Sequence, residues 1–175
     1  MNYWLTTDTH FGHGRIIEFC GRPENFNEKI IRGLQVNVKP EDIIIHLGDV
    51  VFNNGDIYLK QFSDIPCKSK ILLQGNHDKR SSNWYLDHGF NFVARHIGFE
   101  MFGKMILFSH IPEMDLNNVD VNIHGHFHNT EHRRHEPELN VGSKHILIAL
   151  EYTNYQPCNL LDVLNKSKNG IYKRS

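Results

Sequence analysis

Five short apolar runs in this chain break off in the same manner. Trp4-Leu5-Thr6-Thr7 leads into Asp8-Thr9-His10, Ile43-Ile44-Ile45-His46-Leu47 into Gly48-Asp49, and Ile71-Leu72-Leu73-Gln74 into Gly75-Asn76-His77-Asp78. Met105-Ile106-Leu107-Phe108 leads into Ser109-His110, and Val121-Asn122-Ile123 into His124-Gly125-His126-Phe127-His128. A turn after a buried strand has a use for Gly75 and Asn76, but none for His77. Taken singly, an Asp-x-His or a Gly-Asp is a polar strand end, and a His pair in a loop is a solvated one. Five in succession, each ending an apolar run in Asp, Asn or His, leave that explanation little room. In an open α/β sheet the functional crevice lies beyond the carboxyl ends of the strands, so five such ends predict one shared crevice.

The rest of the chain supplies the elements such a crevice needs. Residues 2–7, 42–47 and 69–74 read as strands, the second a fully apolar run of the buried parallel kind. Residues 27–38 read as a helix with Ile30, Ile31 and Leu34 on one side, with shorter helices over 56–62 and 81–89. The second half changes character. Residues 91–110 break into several short strands at Gly98 and Phe102-Gly103-Lys104, further strands are expected in 119–125, 138–141 and 144–150, and 159–166 reads as a last helix. Units of βαβ followed by β-rich structure predict an α/β fold with two packed sheets. With 175 residues and no repeat or long linker, the chain suits one domain over 1–175 whose tail is loosely held from about residue 167.

Charge and cysteine content narrow the function classes. Nineteen basic residues against twenty acidic ones give a net charge of -1, so no global field draws nucleic acid or a membrane surface. No apolar run approaches the ~20 residues of a membrane span, and the N-terminus lacks the zones of a signal peptide, so a cytoplasmic location is expected. Cys20, Cys67 and Cys158 are odd in number and far apart, which argues against a disulfide framework and a thiolate zinc site. Histidine, by contrast, occurs thirteen times. Some are filler, and 131–136 (Glu-His-Arg-Arg-His-Glu) reads as a solvated loop, so position decides.

At the strand ends, Asp8, Asp49, Asn76, His10, His110, His126 and His128 form a mixed oxygen and imidazole set of the kind that takes Mn²⁺, Fe or Zn²⁺. If extended, Asp8 and His10 point the same way, as do His126 and His128, each pair clamping one ion. Seven ligands exceed one tetrahedral ion, and a carboxylate such as Asp49 can bridge two, so a two-metal site is expected. The neighbouring glycines allow the backbone to turn sharply and come close.

The order DxH, GD, GNHD, lone His, GHxH resembles the calcineurin-like metallophosphoesterase superfamily, over residues 8 to 128. The segments DTHFGHGRII, RPENFNE and IIHLGDVVF, with Tyr155-Gln156-Pro157 near the end, further resemble a small bacterial and phage subgroup carrying an HFGH signature. The resemblance implies a four-layer αββα sandwich of two mixed sheets flanked by helices, with a dimetal site at the strand C-terminal ends. It implies that Asp8, His10, Asp49 and His128 hold one ion, and that Asp49 bridges to a second held by Asn76, His110 and His126. Mn²⁺ is the expected metal, with Fe, Zn²⁺ or Ni²⁺ as alternatives, and a hydroxide between the ions would attack phosphorus in line with the leaving group. His77 then acts as general acid toward the leaving alkoxide, and Asp78 either orients it or caps the next helix.

Two departures bear on substrate. Phosphoprotein phosphatases of the superfamily follow the Gly-Asp with an arginine that grips phosphate, whereas Val50-Val51-Phe52 follows here. Members of the subgroup often carry Asn where this chain has Arg15. His13 and Arg15 either contact phosphate at the crevice rim or belong to a helix start that faces solvent, and Lys79 and Arg80 either line the mouth or begin a solvated helix. The expected function is a phosphodiesterase acting on small nucleotide-like or cyclic diesters. The alternatives are a broad-specificity phosphomonoesterase and a non-catalytic scaffold on the same fold. A scaffold would show an eroded ligand set, and none of the seven ligands nor His77 is missing. A nuclease is disfavoured because no basic stripe runs through the sequence.

Overall fold

A computed structural model describes residues 1–52, 55–129, 139 and 141–167. Its first half alternates strand and helix: β1 (Tyr3–Thr6), α1 (Ile16–Cys20), α2 (Phe26–Asn37), β2 (Ile43–His46), α3 (Asp56–Ser63), β3 (Ser69–Leu73), α4 (Ser82–Asp87) and β4 (Phe92–Ala94). The second half supplies β5 (His96–Met101), β6 (Lys104–Ser109), β7 (Val121–His124), β8 (His145–Leu147), a 3₁₀ turn at Leu150–Tyr152, β9 (Cys158–Asn159) and α5 (Leu160–Ser167). The loop expected at 131–136 and the tail from 168 onward lie outside the described residues, as do residues 138 and 140 of the strand expected at 138–141.

The strands form two mixed sheets. The first has the order β4-β3-β2-β1-β9, with β1 to β4 parallel and β9 antiparallel to β1. The second has the order β5-β6-β7-β8, with β5 antiparallel to β6 and the other pairs parallel. Two mixed sheets flanked by helices are the α/β fold that the sequence pattern and the resemblance lead to.

The side-chain alternation of β2 shows why the layers stack this way. Ile44 and Leu72 face the helices, in a core with Phe26, Ile30, Ile31 and Leu34 of α2. Ile45, Leu5 and Leu73 face the other way, against Ile106, Phe108, Ile123 and Ile146 of the second sheet. A strand buried on both faces has no polar side to spare, hence the unbroken apolar run. α5 adds Leu160, Val163 and Leu164 to this inter-sheet core. α4 begins where expected, because Ser81 Oγ accepts the Trp84 N–H at 3.2 Å.

The sequence reading missed β9, which at two residues is too short to show a period. The helix start at Arg15 is α1, five residues long, and Gly98 lies inside β5 rather than breaking a strand. Among the described residues, no helix is long and apolar enough to cross a membrane.

Candidate metal centre

β1, β2 and β3 run parallel, as do β6 and β7, so the five ligand-bearing strand ends emerge at one edge of the sandwich. There the backbone departs from extended geometry. Asp8 (φ +47°), His10 (+44°), Asp49 (+57°), His126 (+74°) and His128 (+48°) all adopt the left-handed region. The expectation that the two pairs are extended is therefore corrected: Asp8 and His10 converge through two left-handed residues, as do His126 and His128. Such conformations cost about 1–3 kcal/mol each in residues other than glycine and persist only where the surroundings enforce them. The Asp8 N–H donates to Gly48 O at 2.8 Å and the His10 N–H to Asp49 O at 3.0 Å, locking the first two turns together.

Close approach also explains the glycines. A Cβ on Gly75 would collide with Asp49 Oδ1, and one on Gly125 with Thr7 Oγ1 and Asp8 Oδ2.

The turns bring the seven expected ligands together. His128 Nε2 lies 3.5 Å and His10 Nε2 3.9 Å from Asp8 Oδ1. Asp49 Oδ2 lies 3.6 Å from His10 Nε2 and 3.3 Å from His110 Nε2, so one carboxylate spans both halves of the cluster. Asn76 Oδ1 is 2.9 Å from His110 Nε2, and the His126 ring lies 5.1 Å from that of His110. Ligand atoms of Asp8, His10 and His128, and of Asp8, Asp49 and His110, lie close enough to share an ion.

One atom tests whether a cation belongs there. Asp8 Oδ2 accepts from Thr7 Oγ1 at 2.5 Å and from the His126 N–H at 3.0 Å, yet Asp8 Oδ1 is buried with no hydrogen-bond partner. A buried, unsatisfied carboxylate oxygen is costly unless something else meets it, and a divalent cation fits that position and the oxygen–imidazole donor set.

Electrostatics agree. Burial pushes the Asp49 carboxyl up, but the hydrogen bond and charge of His110, with His10, hold it well below the usual carboxylate range. Burial pulls His110 and His128 down, but Asp49 and Asp8 raise His110 to about 9, and Asp8 with Glu151 raises His128 to about 10. Burial keeps His10 well below its ordinary value. A cation bound to His110 and His128 must therefore displace protons.

The other expected site residues are placed as follows. His77 is exposed at the edge of the cluster, with its ring 5.5 Å from His10 and its N–H donating to Asp49 Oδ1 at 2.8 Å. The His13 ring stacks on Phe52 at 4.0 Å and lies 5.7 Å from His10, beside the ligands. Arg15 starts α1, is exposed, and lies over the Phe19 ring at 4.8 Å.

Asp78 does neither of the two things expected of it. Its carboxylate accepts from Gly75 N–H (2.8 Å), Asp49 N–H (2.8 Å), Val50 N–H (3.0 Å) and Tyr85 O–H (3.0 Å). Four donors leave no acceptor position for the His77 ring, and Ser81 caps α4 instead. Asp78 ties the Asp49 turn to the Gly75 turn.

The sequence reading gives no role to three supporting residues: Arg22, though it opens the RPENFNE segment, Glu151 and His46. Arg22 is buried and donates from Nη2 to Asp8 O at 2.8 Å and from Nη1 to Thr9 O at 3.2 Å, holding the strained first turn. It also grips Glu151 Oε1 from Nε at 2.8 Å and Nη2 at 2.7 Å, and that oxygen lies 3.2 Å from His128 Nδ1. The carboxylate thus orients His128 with Nε2 toward Asp8, as carboxylates do for metal-binding imidazoles. His46 similarly supports the second turn, accepting the Gly48 N–H at Nδ1 (3.1 Å) and meeting Thr9 Oγ1 with Nε2 (3.0 Å).

No protein-family model matches the chain. An uncharacterized protein of Methanocaldococcus jannaschii, MJ1445, is 29% identical over 162 residues, covering 90% of this chain and 86% of that protein. The solved structure of AQ665 from Aquifex aeolicus, a protein of unknown function, superimposes with a TM-score of 0.76 at 27% identity, over 94% of this chain and 98% of that one. A structure of a novel archaeal phosphodiesterase superimposes with a TM-score of 0.46 at 20% identity, over 71% of this chain and 72% of that one. Likeness at that last level transfers no chemistry.

Proposed function

We propose that the protein is a metal-dependent phosphoester hydrolase that favours diesters over monoesters. The observation that carries this reading is the convergence of five left-handed residues, at the ends of β1, β2 and β7, around the unsatisfied Asp8 Oδ1, with Asp49 spanning both halves of the cluster. Asp8, His10, Asp49 and His128 would hold one cation, and Asp49, Asn76, His110 and His126 a second, with Mn²⁺ as first choice and Fe, Zn²⁺ or Ni²⁺ as alternatives. Bound there, the ions supply Lewis acidity to the phosphoryl oxygens and to the attacking water.

The protein's own groups do the rest. His77, exposed beside the cluster and held by its N–H to Asp49, is in place to give a proton to the leaving alkoxide, worth ~10²–10⁴-fold in rate. Phe52, stacked on His13 and 5.8 Å from His77, gives the mouth one apolar wall. The crevice is open on its Asn76 and His110 side, leaving room for the second ester arm of a diester.

The test is hydrolysis of bis-p-nitrophenyl phosphate beside p-nitrophenyl phosphate, on metal-stripped protein with Mn²⁺, Ni²⁺, Zn²⁺ or Mg²⁺ restored. Restored activity that favours the diester is the expected result. Preference for the monoester would reassign the substrate, and silence with two ions bound per chain would make the protein a scaffold.

A further inference from the structure

Beside Asn76 and His110 the site opens into a cavity of about 770 Å³, within the range of small-molecule pockets. Its walls carry Lys79, Arg80 and Arg95. None of the three cations has a carboxylate partner among the described residues. Two carboxylates also line the cavity, and both are engaged: Asp78 by its four donors, Glu113 by His96 at 3.3 Å. Three cations against two carboxylates leave this lining net positive by one charge, on a chain whose net charge is -1.

The cations sit on a braced frame. Arg95 lies where the chain crosses from β4 to β5, and Lys79 and Arg80 follow the turn after β3. The Gln74 N–H bonds Ala94 O at 2.8 Å, joining these two segments. Gln74 Nε2 bonds Arg80 O at 3.2 Å, Ser82 Oγ bonds Gln74 Oε1 at 3.3 Å, and the Arg80 guanidinium lies over the Trp84 ring at 5.1 Å. Beyond these groups Ile111 is the only aliphatic side chain larger than alanine in the lining, so the cavity offers little to an acyl chain.

We propose that this cavity binds a second phosphate of the substrate, so that the enzyme's preferred small diester carries an additional phosphate group on the side of Asn76 and His110. This rests on the phosphoester hydrolase reading and narrows it. A simple cyclic mononucleotide, with one phosphate, would leave the cations unused, whereas a phosphorylated nucleoside diester would engage them. Exposed cations of this kind act through a field that salt screens over about 10 Å at 0.1 M, so the preference must be salt-sensitive.

Two substrates separate the claims: thymidine 5′-(p-nitrophenyl phosphate), and the same compound with a 3′-phosphate. Both release p-nitrophenolate from the same diester. The Mn²⁺-loaded protein should prefer the 3′-phosphorylated compound at least about tenfold in kcat/KM at low salt, with the preference shrinking as salt rises. Arg80→Gln and Arg95→Gln should each cut that ratio several-fold, chiefly through KM. Equal kcat/KM for the two compounds, or a ratio that neither variant moves, would overturn the proposal. If neither compound is hydrolysed with any metal, the hydrolase reading fails, and calorimetry with tripolyphosphate on metal-stripped protein decides for the cavity alone. Binding weakened by Arg95→Gln supports the cavity, and no binding overturns it. Binding of single-stranded oligonucleotides that tightens with length would overturn the small-molecule assignment.

Discussion

Replacing Glu151 by Gln should weaken one metal site and leave the other nearly intact. Glu151 Oε1 receives Arg22 Nε at 2.8 Å and Nη2 at 2.7 Å and faces His128 Nδ1 at 3.2 Å, with side chains 0% (Arg22) and 4% (Glu151) exposed. Glutamine keeps the shape and one acceptor oxygen but removes the charge, so Arg22 is left buried among neutral acceptors, the carbonyls of Asp8 and Thr9 included, with no counter-charge. Removing one partner of a buried pair costs about 3–5 kcal/mol, and the two remaining carbonyls argue for the lower end. Loss of a carboxylate behind a metal-binding imidazole typically costs about 10–100-fold in metal affinity. That fold-change corresponds to about 1.4–2.7 kcal/mol at the cation proposed for Asp8, His10 and His128.

Calorimetric titration of chelator-stripped protein reads the metal sites, and urea unfolding with chelator present reads the fold. The expected pattern is one weakened binding event of two, with a lowered urea midpoint. The double variant Arg22→Met with Glu151→Gln should lose less stability than the two single losses combined, because both buried charges leave together. Two unchanged metal affinities in Glu151→Gln would refute the idea that this pair positions His128.

His77→Ala should retain both ions in metal analysis yet lose about 10²–10⁴-fold in turnover of esters with poor leaving groups, and much less with p-nitrophenyl esters. Full activity on alkyl esters would remove His77 from the chemistry. Asp49→Asn should loosen both ions at once, since Asp49 lies within 3.6 Å of His10 Nε2 and 3.3 Å of His110 Nε2, and metal content per chain after dialysis checks this. Gly75→Ala should do the same through sterics, because its Cβ would occupy the place of Asp49 Oδ1.

Stability of the chelated protein should fall on the alkaline side. His110 and His128 are raised from 6.5 to about 9 and about 10, so their contribution is complete below pH 6.5 and lost as pH climbs through those values. Glu151 is lowered from 4.5 to about 2, so its contribution holds above pH 4.5 and is lost as pH drops toward 2. Urea midpoints in chelator should therefore be higher at pH 6 than at pH 9.5. Metal affinity should move the opposite way, rising with pH as the imidazoles give up their protons.

Much of this site was legible before any coordinates. Apolar runs closed by Asp, Asn or His name the strands and their ligands, because a strand's period and a side chain's donor chemistry are both properties of a few adjacent residues. The glycines beside Asp49 and Asp8 were legible for the same reason. The role of Asp78 was not. Its position next to His77 and ahead of α4 suits an orienting carboxylate or a helix cap, yet its carboxylate turns inward to the Asp49, Val50 and Gly75 N–H groups. Lys79 and Arg80 fitted a solvated helix start as well as a cavity wall, and only their placement beside Arg95 separates the two.

What the sequence determined by itself was most of the inventory: the strands long enough to show an apolar run, which side chains end them, and that those side chains suit a divalent cation. What the tertiary structure decided was how that inventory is held. Five left-handed residues are strained in isolation, and those at Asp8, His10 and Asp49 are held by bonds between neighbouring turns and from Arg22, with the His126 N–H tied to Asp8 Oδ2. The ion pair behind His128 joins residues 129 positions apart, and its strength depends on exclusion from water, which no stretch of sequence carries.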